Sequence, residues 1–132
     1  MLATRTQPTP ATDTTQDLRP RFGIGHMAFP AKDVGALVDF YTSIGMRLVV
    51  DMGRAAILEL RGGTHLIIQP GDAGNGTLDL IVDDIDETRT VLASAGADPS
   101  RIQRGHPHDR FVATDPEGNR LIVASNHAIG PV

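Results

Sequence analysis

His26 and Asp79 are the residues of this chain whose types best suit chemistry near neutral pH. An imidazole titrates in that range, and a nearby carboxylate can accept a proton or orient the ring. They lie in two copies of one pattern. Residues 25–46 (GHMAFPAKDVGALVDFYTSIGM) align without a gap on residues 76–97 (GTLDLIVDDIDETRTVLASAGA), at a spacing of 51. Gly25 matches Gly76, Asp33 matches Asp84, Ser43 matches Ser94 and Gly45 matches Gly96, so His26 and Thr77 hold one place in the repeat. A duplicated module predicts two halves meeting about a pseudo-two-fold axis, with a cavity lined by equivalent positions of each. His26 then reads either as a ligand or acid–base group, or as a hydrogen-bonded cavity histidine without chemistry. Asp79 reads as a general base or metal ligand, or as a buried acid paired with Arg110 or Arg120.

The elements that must position these residues follow from pattern. Residues 24–29 have a strand's composition. Over 32–44, Val34, Leu37, Val38, Tyr41 and Ile44 recur at helical spacing, and Gly45 ends the helix. Strands are expected over 47–51, 54–60 and 64–69, with a hairpin turn at Arg61-Gly62-Gly63. The second half repeats the order: a strand over 77–82, a helix over 85–95 stopped by Gly96, and strands over 101–104, 110–114 and 120–125. Asp115-Pro-Glu-Gly118 is the turn between the last two. The fold class is therefore α+β. Two βαβββ modules, 22–70 and 76–127, should form one eight-stranded, mostly antiparallel, incompletely closed barrel-like sheet with helices outside. Residues 1–19, rich in Thr, Pro, Gln and Asp, are expected to be a flexible tail.

Strand alternation assigns faces. Leu78, Leu80 and Val82 share one face, as do Met27 and Phe29, and both should meet the helices. The mixed faces carrying His26, Thr77 and Asp79 should line the cavity. Arg110 and Phe111 begin a strand beside it and are candidate ligand contacts. The segment Gly105-His-Pro-His-Asp109 and His127 read as a surface metal clip or as a solvated loop near the cavity mouth.

Composition excludes several classes. The chain has 132 residues, net charge −4 and no basic stripe, which argues against nucleic acid. Cysteine is absent, so disulfides, thiolate metal sites and a cysteine nucleophile are excluded, and a cytoplasmic location is expected. No apolar run is long enough to span a bilayer or to make a signal peptide. The core is mainly aliphatic, with four phenylalanines, one tyrosine and no tryptophan. Phosphate-binding glycine loops and a Gly-x-Ser-x-Gly elbow are missing.

His26 in a first strand, the helix end Phe40-Tyr41-Thr-Ser-Ile-Gly45, the Val82-Asp-Asp-Ile85 helix entry and Asp115-Pro-Glu-Gly-Asn119 carry a resemblance. Over about 22–127 the chain resembles the vicinal oxygen chelate superfamily of glyoxalase I, bleomycin-resistance proteins, methylmalonyl-CoA epimerase and extradiol dioxygenases. The resemblance implies a homodimer and, in metal-dependent members, one divalent ion held by two first-strand and two last-strand residues. Those positions here are His26 and Thr77, then Ile67 and Ile122 from aligning GTHLIIQ with GNRLIVA. Isoleucine cannot coordinate and threonine is a poor ligand, so no metal is expected in the usual place. His65 and Gln69, two residues either side of Ile67, should share its face. With His26 and Asp79 they would form an unorthodox nitrogen–oxygen site for a divalent metal.

Two functions stay open. One is a glyoxalase/bleomycin-resistance-like binder of a small, mostly apolar molecule, without cofactor. His26, His65, Ile67, Gln69, Thr77, Asp79, Arg110, Phe111, Ile122 and Ala124 would line its site. The alternative is a metal-dependent or His/Asp-based lyase, isomerase or dioxygenase with His26 and Asp79 as catalytic candidates. No membrane or nucleic-acid partner is expected for either.

Overall fold

The computed structural model describes residues 16–126 and 131. Of the tail expected over 1–19, residues 1–15 lie outside the described residues, and 16–19 carry no strand or helix. The elements are β1 (His26–Ala31), α1 (Val34–Ser43), β2 (Arg47–Asp51), β3 (Ala56–Glu59), β4 (His65–Pro70), β5 (Thr77–Val82), α2 (Ile85–Ser94), β6 (Arg110–Thr114) and β7 (Arg120–Ser125). A short 3-10 turn, Arg61–Gly63, closes the β3–β4 hairpin.

The two helices begin and end by the same chemistry, as the repeat requires. Asp33 caps α1 by accepting from the Ala36 amide at 3.0 Å, and Asp84 caps α2 by accepting from the Glu87 amide at 3.0 Å. Gly45 and Gly96 take φ of 119° and 80°, the left-handed region where a side chain would be strained. After them the amides of Met46 and Ala97 return to the carbonyls of Tyr41 and Leu92, both at 3.0 Å. This is the six-to-one bond of a Schellman ending.

The strands form a four-stranded sheet, β1-β4-β3-β2, and a three-stranded sheet, β5-β7-β6. In each, the first strand pairs parallel with the last, β1 with β4 and β5 with β7, while the remaining ladders are antiparallel. His26 stands opposite His65, and Thr77 opposite Arg120. The expected eight-stranded sheet is thus two sheets with seven strands among the described residues. The missing strand is that over 101–104. Only Gln103 and Arg110 form a bridge there. The carbonyls of Pro99 and Ser100, which would extend the ladder, are taken by Arg89 of α2 at 3.1 and 2.7 Å. The Val112 amide is satisfied by the Ser100 hydroxyl, at 2.9 Å, rather than by a backbone carbonyl.

One apolar cluster lies between helices and sheets. It joins Leu37, Phe40 and Tyr41 of α1 and Leu92 of α2 to Phe29, Leu58, Leu66, Leu78, Phe111, Leu121 and Val123 of the strands. The faces match those read from alternation. The opposite faces remain open: His26, Ala28, Gln69, Thr77, Asp79 and Arg120 are all exposed.

A buried polar knot ties α1 to the β6–β7 turn. The Tyr41 hydroxyl donates to Asp115 Oδ2 at 2.6 Å, and the Asn119 side-chain amide donates to the same oxygen at 2.9 Å. The backbone amides of Glu117 and Asn119 donate to Asp115 Oδ1, both at 2.9 Å. Asn119 Oδ1 in turn accepts from the Gly76 amide at 2.9 Å, which fixes the start of β5. Among the described residues, Asp115 and Asn119 are the buried polar ones. Among the described residues no helix is long and apolar enough to cross a membrane.

Candidate functional site

β1 and β5 are the facing edge strands of the two sheets and share no ladder. A cleft of about 770 Å³ opens at this seam. His26 of β1 and Thr77 and Asp79 of β5 line it together. Ile24, Met27, Leu60, Leu80 and Ile81 supply apolar wall, and Arg61 and Thr64 border it from the β3–β4 hairpin. Met27 and Leu80 belong to the helix-facing sides of their strands. They reach the cleft because an unpaired edge is open to both faces. Alternation alone therefore could not find them, nor the hairpin residues Leu60, Arg61 and Thr64. Arg61 forms an exposed ion pair with Asp83 at 3.1 Å, whose hydrogen bond holds the Asp83 carboxyl below its ordinary range.

The side chains of His26 and Asp79 face the cleft without a hydrogen bond or ion pair to any described residue. The pairing of Asp79 with Arg110 or Arg120 does not occur. Asp79 is exposed and stands beside Ile122, while both arginines lie on other rows of the sheet. His26 touches the ring of His65, with centroids 5.5 Å apart. His65 is held in turn by Glu59, its Nε2 lying 3.2 Å from Oε1. Glu59 also pairs with Arg47, and that contact first, then His65, keeps its carboxyl below the usual glutamate range.

Ile67 and Gln69 share the open face of the first sheet with His65, opposite Ala28 and Pro30, but do not line the seam cleft. Ile122, Ala124 and Arg110 share the open face of the second sheet with Asp79, as the register places them. Phe111 does not. Its ring is buried at 1% exposure in the helix-facing core. Arg110 and Phe111 are consecutive in β6, so their side chains point to opposite faces. His106 and His108 line no part of the cleft; Asp109 orders their loop by accepting from the Gly105 amide at 3.1 Å and from Arg104 at 3.0 Å. His127 lies outside the described residues.

The superfamily's metal would need donors from the positions of His26, Thr77, Ile67 and Ile122. The two isoleucines have no lone pair, so the residues present do not fit it. Among the described residues no three His, Cys, Asp or Glu side chains gather as ligands elsewhere.

Residues 26–124 match the family described as "Glyoxalase-like domain". The chain belongs to that family. With it the chain belongs to the vicinal oxygen chelate superfamily. No curated protein matches the sequence at a significant level. Solved structures with similar folds include lactoylglutathione lyase from Agrobacterium tumefaciens. That match is 21% identical, with a TM-score of 0.71, and covers 86% of this chain and 100% of the other. Another is TnmS3, an antibiotic binding protein from Streptomyces sp. CB03234, at 22% identity, TM-score 0.68, covering 79% and 95%. A third is a glyoxalase/bleomycin resistance protein from Catenulispora acidiphila DSM 44928, at 21% identity, TM-score 0.64, covering 79% and 99%. At these identities the glyoxalase-like chain shares their architecture, and its chemistry has to be argued from its own residues.

Proposed function

We propose that this glyoxalase-like protein binds a small, mostly apolar molecule in the seam cleft, without the superfamily's metal or another cofactor. The observation that carries the reading is a cleft of about 770 Å³ with aliphatic walls and two unpartnered polar side chains, His26 and Asp79. A mostly apolar pocket of about 300–1,000 Å³ with a few orienting polar groups is the usual form of a small-molecule site. The replacement of the metal-binding positions by Ile67 and Ile122 supports binding without metal chemistry, as does the fold shared with an antibiotic binding protein.

The test begins with a thermal-shift screen of the tag-free protein against a small-molecule library, with metal content measured by inductively coupled plasma analysis. Binders that raise the melting temperature should lose affinity in His26→Ala or Asp79→Asn by about 1–3 kcal/mol, the cost of a buried hydrogen-bonding group left without its partner. Unchanged affinity in both folded variants would remove the cleft from consideration. One tightly held divalent ion per chain would overturn the metal-free part.

The reading includes a homodimer. All five residues of β2 are exposed at a sheet edge, and Leu48, Val49, Val50 and Met52 present apolar surface there. Such an edge is normally covered. Light scattering at tens of micromolar should give twice the chain mass of 14.1 kDa, and a monomer would refute this.

A further inference from the structure

Arg110 and Arg120 form a second polar feature, on the open face of the three-stranded sheet. They line one pocket of about 300 Å³ with Ser100, Gln103, Phe111 and Val112. Five other cations among the described residues have partners. Arg19, Arg47, Arg61 and Arg104 form ion pairs, and Arg89 donates to two backbone carbonyls. The guanidinium groups of Arg110 and Arg120 make no hydrogen bond or ion pair with any described residue. Arg110 is partly buried. Two guanidinium groups that face one pocket with no acceptor repel each other. An oxyanion held between them would relieve both, through short charge-assisted bonds.

The sheet register gives the pocket its shape. Arg110 stands opposite Ala124, Arg120 opposite Thr114, and the row between them is Val112 opposite Ile122. Two cationic positions thus bracket an aliphatic floor. Asp79, on the same face beside Ile122, pairs with neither arginine. This arrangement occurs in a chain of net charge −4, where acidic partners are plentiful. We propose that Arg110 and Arg120 are an oxyanion-binding site for a small carboxylate or phosphate compound whose apolar part rests on Val112. The pocket shares no lining residue with the seam cleft, so it stands whether or not that cleft binds a ligand.

The experiment is an amide-detected NMR titration of the full chain with inorganic phosphate and, separately, with benzoate, at constant ionic strength set by chloride. Saturable shifts should centre on Gln103, Arg110, Val112 and Arg120. Arg110→Gln and Arg120→Gln should each weaken binding by about tenfold or more, as loss of a hydrogen bond to a charged group does. Arg54→Gln, at an exposed position that lines neither pocket, should leave it unchanged. Tighter benzoate binding assigns a carboxylate ligand, and tighter phosphate binding a phosphate. Absence of saturation with both probes would overturn the site. So would equal dissociation constants in all three variants, whose folds the same spectra verify.

Discussion

Asp115→Ala is expected to lower the unfolding free energy by roughly 3–5 kcal/mol, because it strands several buried donors at once. Asp115 is 4% exposed and accepts from the Tyr41 hydroxyl, the Asn119 side chain and two backbone amides. Alanine provides no acceptor, and little water can reach the donors left behind. Tyr41→Phe removes a single donor and should cost about 1.5–3 kcal/mol, the range for a hydrogen bond to a charged group. Urea denaturation of both variants checks the order. A loss below about 1 kcal/mol for Asp115→Ala would mean that the turn relaxes to satisfy its donors elsewhere.

The same knot predicts an alkaline limit. Burial first, then the hydrogen bond and charge of Asp115, raise the Tyr41 phenol far above its ordinary value. An unfolded tyrosine ionises from about pH 10, whereas the folded one stays protonated. The unfolded state then binds fewer protons, so stability falls as pH rises past that point. Tyr41 is the only tyrosine of the chain, so its near-ultraviolet titration should appear only on unfolding. In Tyr41→Phe this component of the alkaline loss should vanish.

The repeat made much of this architecture legible, because its residues set local geometry. Asp33 and Asp84 cap helices, and Gly45 and Gly96 end them, through contacts within a few residues. The place of His26, Thr77 and Asp79 on open faces followed from a period of two. Alignment of the last strands also held: it matched His65 with Arg120, and these stand opposite His26 and Thr77. What could not be read depends on contacts made at a distance. Arg89 holds the carbonyls of Pro99 and Ser100 across 10 and 11 residues, and the Ser100 hydroxyl meets the Val112 amide and the Arg101 carbonyl, which leaves only the Gln103–Arg110 bridge over 101–104. The Tyr41–Asp115 bond spans 74 residues. The resemblance had marked both residues as parts of motifs, but no pattern within either motif says that they touch. The burial of the Phe111 ring has a simpler reason: it alternates with Arg110, and alternation turns it to the helix-facing core.

Phe29→Ala is the second substitution expected to cost most, about 3–5 kcal/mol as for other buried phenylalanines. The ring is 4% exposed, in β1, and lies tilted against the Tyr41 ring at 6.5 Å. The ring also lies against the bare backbone of Gly76. A Cβ added to Gly76 would fall 2.6 Å from Phe29 Cε1 and 2.7 Å from Asn119 Oδ1. The glycine is therefore needed for close approach across the seam, since its neighbours occupy the space of a methyl group. Gly76→Ala must displace either the Phe29 ring or the amide oxygen that accepts from the Gly76 amide, at a cost of about 1–3 kcal/mol. A smaller side chain at position 29 should give back part of that cost. The double variant Phe29→Leu, Gly76→Ala should then be more stable than the sum of the single effects predicts, by roughly 0.5 kcal/mol or more, as residues in contact are rarely additive. Chemical denaturation of the four proteins of the cycle measures this. Strict additivity would show that the two residues do not pack together, and that β5 is set beside β1 by the Asp115 knot alone.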